Sequence, residues 1–142
     1  MDAQAVEVLR RLPASKREQA GAIYARSGPE GLKEYCYSVP VEGTDDNFAF
    51  AAQKGLELAG VFHTHPDDKH SDQFSPNDTE VATTLKRPSF ILDKATADVR
   101  RFDPGTTRAD RRGMSPGQLV GNVSRRETLA AAYDLHNPPI KQ

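Results

Sequence analysis

Apolar positions at helical and extended spacings divide the chain into alternating elements. Val6, Leu9 and Leu12 recur every three residues and predict a short helix over Ala3–Leu12, with Asp2 as N-cap and Pro13 as its stop. Ser15-Lys16-Arg17-Glu18 has the form of a capping box, and Ala20, Ile23 and Tyr24 follow at helical spacing, predicting a second helix to about Ser27. After the turn Gly28-Pro29-Glu30-Gly31, the aromatic and β-branched residues of Glu34 to Val41 favour a strand. Phe48 to Gln53 reads as another. Leu56 to Thr64 is a further strand, running into His63-Thr64-His65-Pro66.

Downstream, Pro66 to Phe74 is a polar loop without periodicity, and Ser75-Pro76-Asn77-Asp78 opens a helix through Leu85, with Ser as N-cap and Pro at the first helical position. Ser89–Asp93 and Ala97–Phe102 read as a hairpin. Residues 103–123, rich in Gly, Pro, Arg and Ser, predict a long loop, and Ser124 starts a last helix to about His136. The expected architecture is α/β (α+β): one domain over residues 1–142, with a single mixed β-sheet flanked by helices. A helical segment at 2–27 precedes a core at about 30–104, and a loop and helix at 105–142 follow.

Composition narrows the chemistry. No apolar run approaches the roughly 20 residues of a membrane span, and the N-terminus lacks a basic and an apolar signal region, so the expectation is a cytoplasmic protein or one delivered by a specialised bacterial secretion system. With a single cysteine, Cys36, neither a disulfide framework nor a multi-thiolate zinc site can form. Any metal must be held by His and carboxylates. Residues 1–86 carry 9 basic and 14 acidic side chains, whereas residues 87–126 carry 9 and 4. Arg100, Arg101, Arg108, Arg111 and Arg112 offer an exosite for an acidic partner, but Arg interleaved with Asp is the pattern of a solvated face, and nucleic-acid binding is not expected.

Alternate side chains of a strand share a face, so His63 and His65 point together while Thr64 points away. Pro66 halts regular pairing there and leaves the two imidazoles at a strand end. Asp78 lies one helical turn past Ser75, so one helix start can aim both side chains at the same point. Two imidazoles and a carboxylate suit one zinc ion per chain with a fourth position left for water. Amide hydrolysis by that water also needs a carboxylate as general base, for which Glu34, Glu42 and Glu57 are the candidates.

The run His63-Thr64-His65-Pro66 followed by Ser75-x-x-Asp78, with a glutamate upstream, resembles the JAMM (MPN or JAB) metalloproteases, which cleave peptide or isopeptide bonds. This resemblance implies a cytidine-deaminase-like, JAB-MPN-type fold and zinc held by His63, His65 and Asp78. It also implies that Ser75 supports the oxyanion and that an upstream Glu works through water. Glu34 is the expected base, because the family's glutamate opens a strand after a helix. The loop after His65 is longer than is usual in the family, and Tyr35-Cys36-Tyr37-Ser38 stands where a Gly-rich pair commonly follows its glutamate. A narrower likeness is to the JAB-like domains at the C-termini of Rhs-type bacterial polymorphic toxins. That likeness implies an effector module with a protein or peptide substrate, and either an immunity protein or a larger parent polypeptide as partner.

The rival from another class is a non-catalytic protein-binding module that keeps the fold without a working base. A zinc deaminase would need a Pro-Cys-x-x-Cys run that one cysteine cannot supply. Cys36 reads as core packing and His70 as a solvated loop residue.

Overall fold

The computed structural model describes residues 1–42, 55–66 and 70–125, together with 131 and 135. Its elements are α1 (Asp2–Arg11), β1 (Gln19–Ser27), β2 (Lys33–Tyr37), β3 (Val41–Glu42), β4 (Glu57–His65), α2 (Pro76–Leu85), β5 (Ser89–Asp93), β6 (Asp98–Phe102) and β7 (Gln118–Asn122). The strands form one mixed sheet in the order β2-β1-β4-β5-β6-β7, with β3 also paired to β1. As β4 occupies one edge of β1, β2 and β3 follow one another along the other edge. The architecture is α+β. The expected strand over Phe48–Gln53 and most of the expected C-terminal helix lie outside the described residues.

The segment expected as a second helix is the strand β1. Ser15 accepts a hydrogen bond from the Arg17 N–H, 3.1 Å away, in a local turn, and caps no helix. From Gln19 to Ala25 every residue is buried, because β1 is flanked by strands on both edges and covered on both faces. Such a strand loses the polar alternation that marks a half-buried one. Its small residues answer to close approach: a Cβ on Gly21 would lie 2.3 Å from the Phe62 ring.

Helix α1 starts one residue earlier than expected. Met1 is its N-cap, and Asp2 lies inside the first turn, where its carboxylate accepts a 2.5 Å bond from Arg101. Ala5, Val8 and Leu9 pack with Ile23, Phe62, Phe90, Leu92 and Val99 into the main core on this face of the sheet. The loop expected over 103–123 contains β7, an edge strand antiparallel to β6 whose exposed Leu119 hides its strand character. Gly121 of β7 lets α1 come close, since a Cβ there would lie 2.5 Å from Val6 Cγ2. At the opposite edge, Leu135 forms a parallel bridge to Tyr35 of β2 and is itself buried.

Strands β4 and β5 are the parallel pair, joined through α2 as crossover. Phe74, Ala82, Ile91 and Phe102 seat this helix on the second face of the sheet. The carboxyl end of β4 thus meets the amino end of α2. In sheets with parallel strands, such a crevice is where ligands bind.

Candidate metal centre

Each half of the site is positioned by local rules. His63 and His65 occupy alternate positions near the end of β4, and both are buried. Ser75 caps α2 in a reciprocal arrangement: its hydroxyl accepts from the Asp78 N–H at 3.2 Å, and its own N–H donates to Asp78 Oδ2 at 2.8 Å. That box fixes the Asp78 carboxylate, which is 4% exposed. The two Nε2 atoms lie 2.9 Å apart, with Asp78 Oδ1 3.2 Å from His63 Nε2 and Oδ2 3.2 Å from His65 Nε2. Three of the residues singled out in the sequence therefore converge on one point.

Glu18 stands against the same two imidazoles. Its carboxylate and the two imidazoles present donor atoms that all lie within 4.8 Å of one another. The register accounts for its place: Ala20 is opposite His63, so continuing the antiparallel pairing sets Glu18 opposite His65 and on the same face. Beside it, the Gln19 N–H donates to the buried Thr64 hydroxyl at 3.0 Å and pins the entry to β1. The residue that suggested a helix cap thus stands at the cluster.

Glu34, the expected base, does not lie with the two histidines. It pairs with Arg26, by register in the sheet and by a 3.0 Å ion pair. Arg26 is six residues along β1 from Ala20, or roughly 20 Å at about 3.3 Å per residue. Glu57 begins β4 at its far end and faces Arg87 with a side chain 75% exposed. Glu42 is closer, but it pairs with Gln19, whose side chain points away from the histidine face.

Around His65 a further set of contacts was not anticipated. Its Nδ1 lies 3.2 Å from the Ser71 carbonyl oxygen. A carbonyl only accepts, so Nδ1 carries the proton and, in the neutral ring, Nε2 presents a lone pair to the cluster. Asp93, next to His65 in the parallel register, is 2% exposed. Burial pushes its carboxyl upward, but the nearby Ser71 side chain, hydrogen bonds from the Ala95 N–H and the Thr96 hydroxyl, and the charge of Arg100 hold it below its ordinary value.

The two imidazoles and the Glu18 carboxylate form a group that can hold a metal ion, and the Asp78 carboxylate lies against the same two imidazoles. Of the residues weighed and set aside, Cys36 is buried and His70 is exposed. Arg101 is engaged by Asp2 and Asp103, whereas Arg108, Arg111 and Arg112 are exposed. No described helix is long and apolar enough to cross a membrane.

No family model, curated protein or solved structure matches the chain.

Proposed function

We propose that the chain is a zinc-dependent hydrolase of the JAB-MPN type that cleaves an amide bond in a protein or peptide. The observation that carries this reading is the convergence of His63, His65 and Asp78 with Glu18 beside them. Ligands about 2.0–2.2 Å from a tetrahedral zinc stand roughly 3.3–3.6 Å apart. The two Nε2 atoms stand 2.9 Å apart and each lies 3.2 Å from a different oxygen of Asp78, a little closer than that figure. Glu18 also meets the family's requirement for a glutamate that opens a strand after a helix, since β1 follows α1.

Zinc bound by the two imidazoles and Asp78 would supply a water whose pKa falls toward about 7. Glu18 takes a proton from the attacking water and passes it to the departing amine. Ser75 uses its oxygen to accept from Asp78, so its hydroxyl proton is the group that can donate to the developing oxyanion. The bond of His65 Nδ1 to the Ser71 carbonyl would leave the Nε2 lone pair available to a bound ion.

A second reading is favoured by the grouping of Glu18 with both histidines. If Glu18 is itself a ligand, the site is closed by four protein groups and serves a binding module.

Elemental analysis of the full chain, with zinc supplied after metal-free purification, separates these readings. The hydrolase reading expects about one zinc per chain, lost in the His63→Ala, His65→Ala variant. In Glu18→Gln it expects zinc to be kept and peptide cleavage to fall by about 10²–10⁴. Zinc affinity that falls as far in Glu18→Gln as in Asp78→Asn would favour the closed site. Folded wild type that takes up no zinc would refute both.

A further inference from the structure

The loop between β6 and β7 is fastened to the start of α2. Ser115 and Phe74 exchange backbone hydrogen bonds in both directions, the Phe74 N–H donating at 2.6 Å and the Ser115 N–H at 3.2 Å. Two residues earlier, the Gly113 carbonyl accepts from the Thr79 hydroxyl at 3.0 Å, and a Cβ on Gly113 would lie 3.1 Å from Pro76 Cβ. Phe74, Pro76 and Thr79 are the chain neighbours of Ser75 and Asp78. The helix start that fixes the Asp78 carboxylate therefore also fixes this loop.

The tip of the loop is a turn closed by Asp110. Its Oδ1 accepts from the Arg112 N–H at 2.8 Å and from the Met114 N–H at 3.0 Å, while its own N–H donates to the Met114 carbonyl at 2.7 Å. Arg interleaved with Asp suggested charges that neutralise one another, but Asp110 is spent on the backbone. Its other oxygen makes only a loose 3.9 Å contact with Arg112, whose side chain is 81% exposed. Arg108 and Arg111 are exposed too, and among the described residues neither has an acidic partner.

Chain geometry sets the scale. With consecutive Cα atoms about 3.8 Å apart and a rise of about 1.5 Å per helical residue, the contact at Pro76 puts the Arg112 Cα within roughly 15 Å of that of Asp78. An extended peptide covers that span in about four or five residues. One substrate chain can thus meet the arginines and the centre together.

We propose that Arg108, Arg111 and Arg112 form a dock for an acidic stretch of the protein substrate. This proposal rests on the reading of the neighbouring centre as an amide hydrolase. Peptide is favoured over nucleic acid because the exposed Asp72 and Glu80 border the same helix start. They repel a continuous phosphate backbone, whereas a peptide can set its carboxylates against the arginines alone.

The test is fluorescence anisotropy with a labelled oligoglutamate peptide at low ionic strength, on the full chain and two variants. One variant is Arg108→Ala, Arg111→Ala, Arg112→Ala. The other, Lys33→Ala, Lys86→Ala, Arg125→Ala, removes the same charge from exposed positions elsewhere. Zinc content and thermal unfolding are measured alongside. The loop variant is expected to bind the peptide about tenfold more weakly than wild type, and the control to stay within about twofold. Both should keep their zinc and their stability, and wild-type affinity should fall as salt rises toward about 0.15 M. The dock is overturned if wild type does not bind the peptide, or if the loop variant loses no more affinity than the control. A single-stranded oligonucleotide of matched charge that binds the same arginines more tightly than the peptide overturns it as well. Wild type that takes up no zinc fails the proposed function and, with it, the tie between dock and cleavage. Zinc-binding wild type with an unaffected loop variant removes the dock alone.

Discussion

The backbone N–H of Gln19 donates to the side-chain hydroxyl of Thr64, 3.0 Å away, in the buried interior of the sheet. Thr64 stands between the two histidines with its side chain on the opposite face, and Gln19 is the residue after Glu18. This bond fastens the residue after Glu18 to the strand that carries the two imidazoles.

Removing its acceptor should be costly. Thr64→Val leaves the Gln19 N–H buried without this partner and is expected to destabilise the fold by about 1–3 kcal/mol, while Thr64→Ser keeps the hydroxyl. Urea unfolding of the two variants checks this, and equal stability would contradict the assigned role.

The two upstream glutamates should separate cleanly in an assay. In zinc-loaded protein, Glu34→Gln is expected to leave peptide cleavage within about twofold of wild type, against a fall of about 10²–10⁴ in Glu18→Gln. A large loss on the Glu34 side would put the base at the wrong end of β1.

Cys36 gives a pH signature. Burial pushes its thiol above the ordinary value, Arg26 opposes this and Glu34 adds to it. A folded pKa above the unfolded value of about 8.5 means that the thiol's contribution to stability is whole below that pH and is lost as pH rises through the folded pKa. Unfolding between pH 7.5 and pH 10 should therefore reveal an alkaline loss that is smaller in Cys36→Ala. Iodoacetamide at neutral pH should modify Cys36 only as the protein unfolds.

Contact between α1 and β7 can be tested by volume. Gly121→Ala places a methyl 2.5 Å from Val6 Cγ2 and is expected to cost about 1–3 kcal/mol. Adding Val6→Ala should recover part of that cost, giving a coupling energy of about 0.5 kcal/mol or more in a double-mutant cycle. Strict additivity would show that the helix simply moves away.

What could be read from the sequence was what local pattern dictates. His-x-His at the end of an apolar run and Ser-x-x-Asp at a helix start each place two groups by the geometry of a single element. Helix α2, the β5–β6 hairpin and the strand feeding His65 follow from the same spacings. Glu18 was hidden because tertiary pairing brings it to the site: only the antiparallel register of β1 and β4 sets it beside His65. The pattern from Ser15 to Glu18 favoured a helix cap, and Ala20, Ile23 and Tyr24 happened to fall at helical spacing. The packing of β1 between β2 and β4 overrode that preference. Strand β7 was missed because an edge strand among Gly, Pro and Arg carries little apolar signal.

The central position of β1 also bears on how the chain folds. Its buried run, Gln19 to Ala25, finds its main partner only in β4, beyond β2, β3 and the segment that follows them. Pairing across so much intervening chain is intrinsically slow. Until it is complete, an uncharged apolar strand with an open edge faces water, and a strand of that kind is a template for association with other chains. Refolding yield should therefore fall as protein concentration rises, through a competition set by how quickly β4 reaches β1.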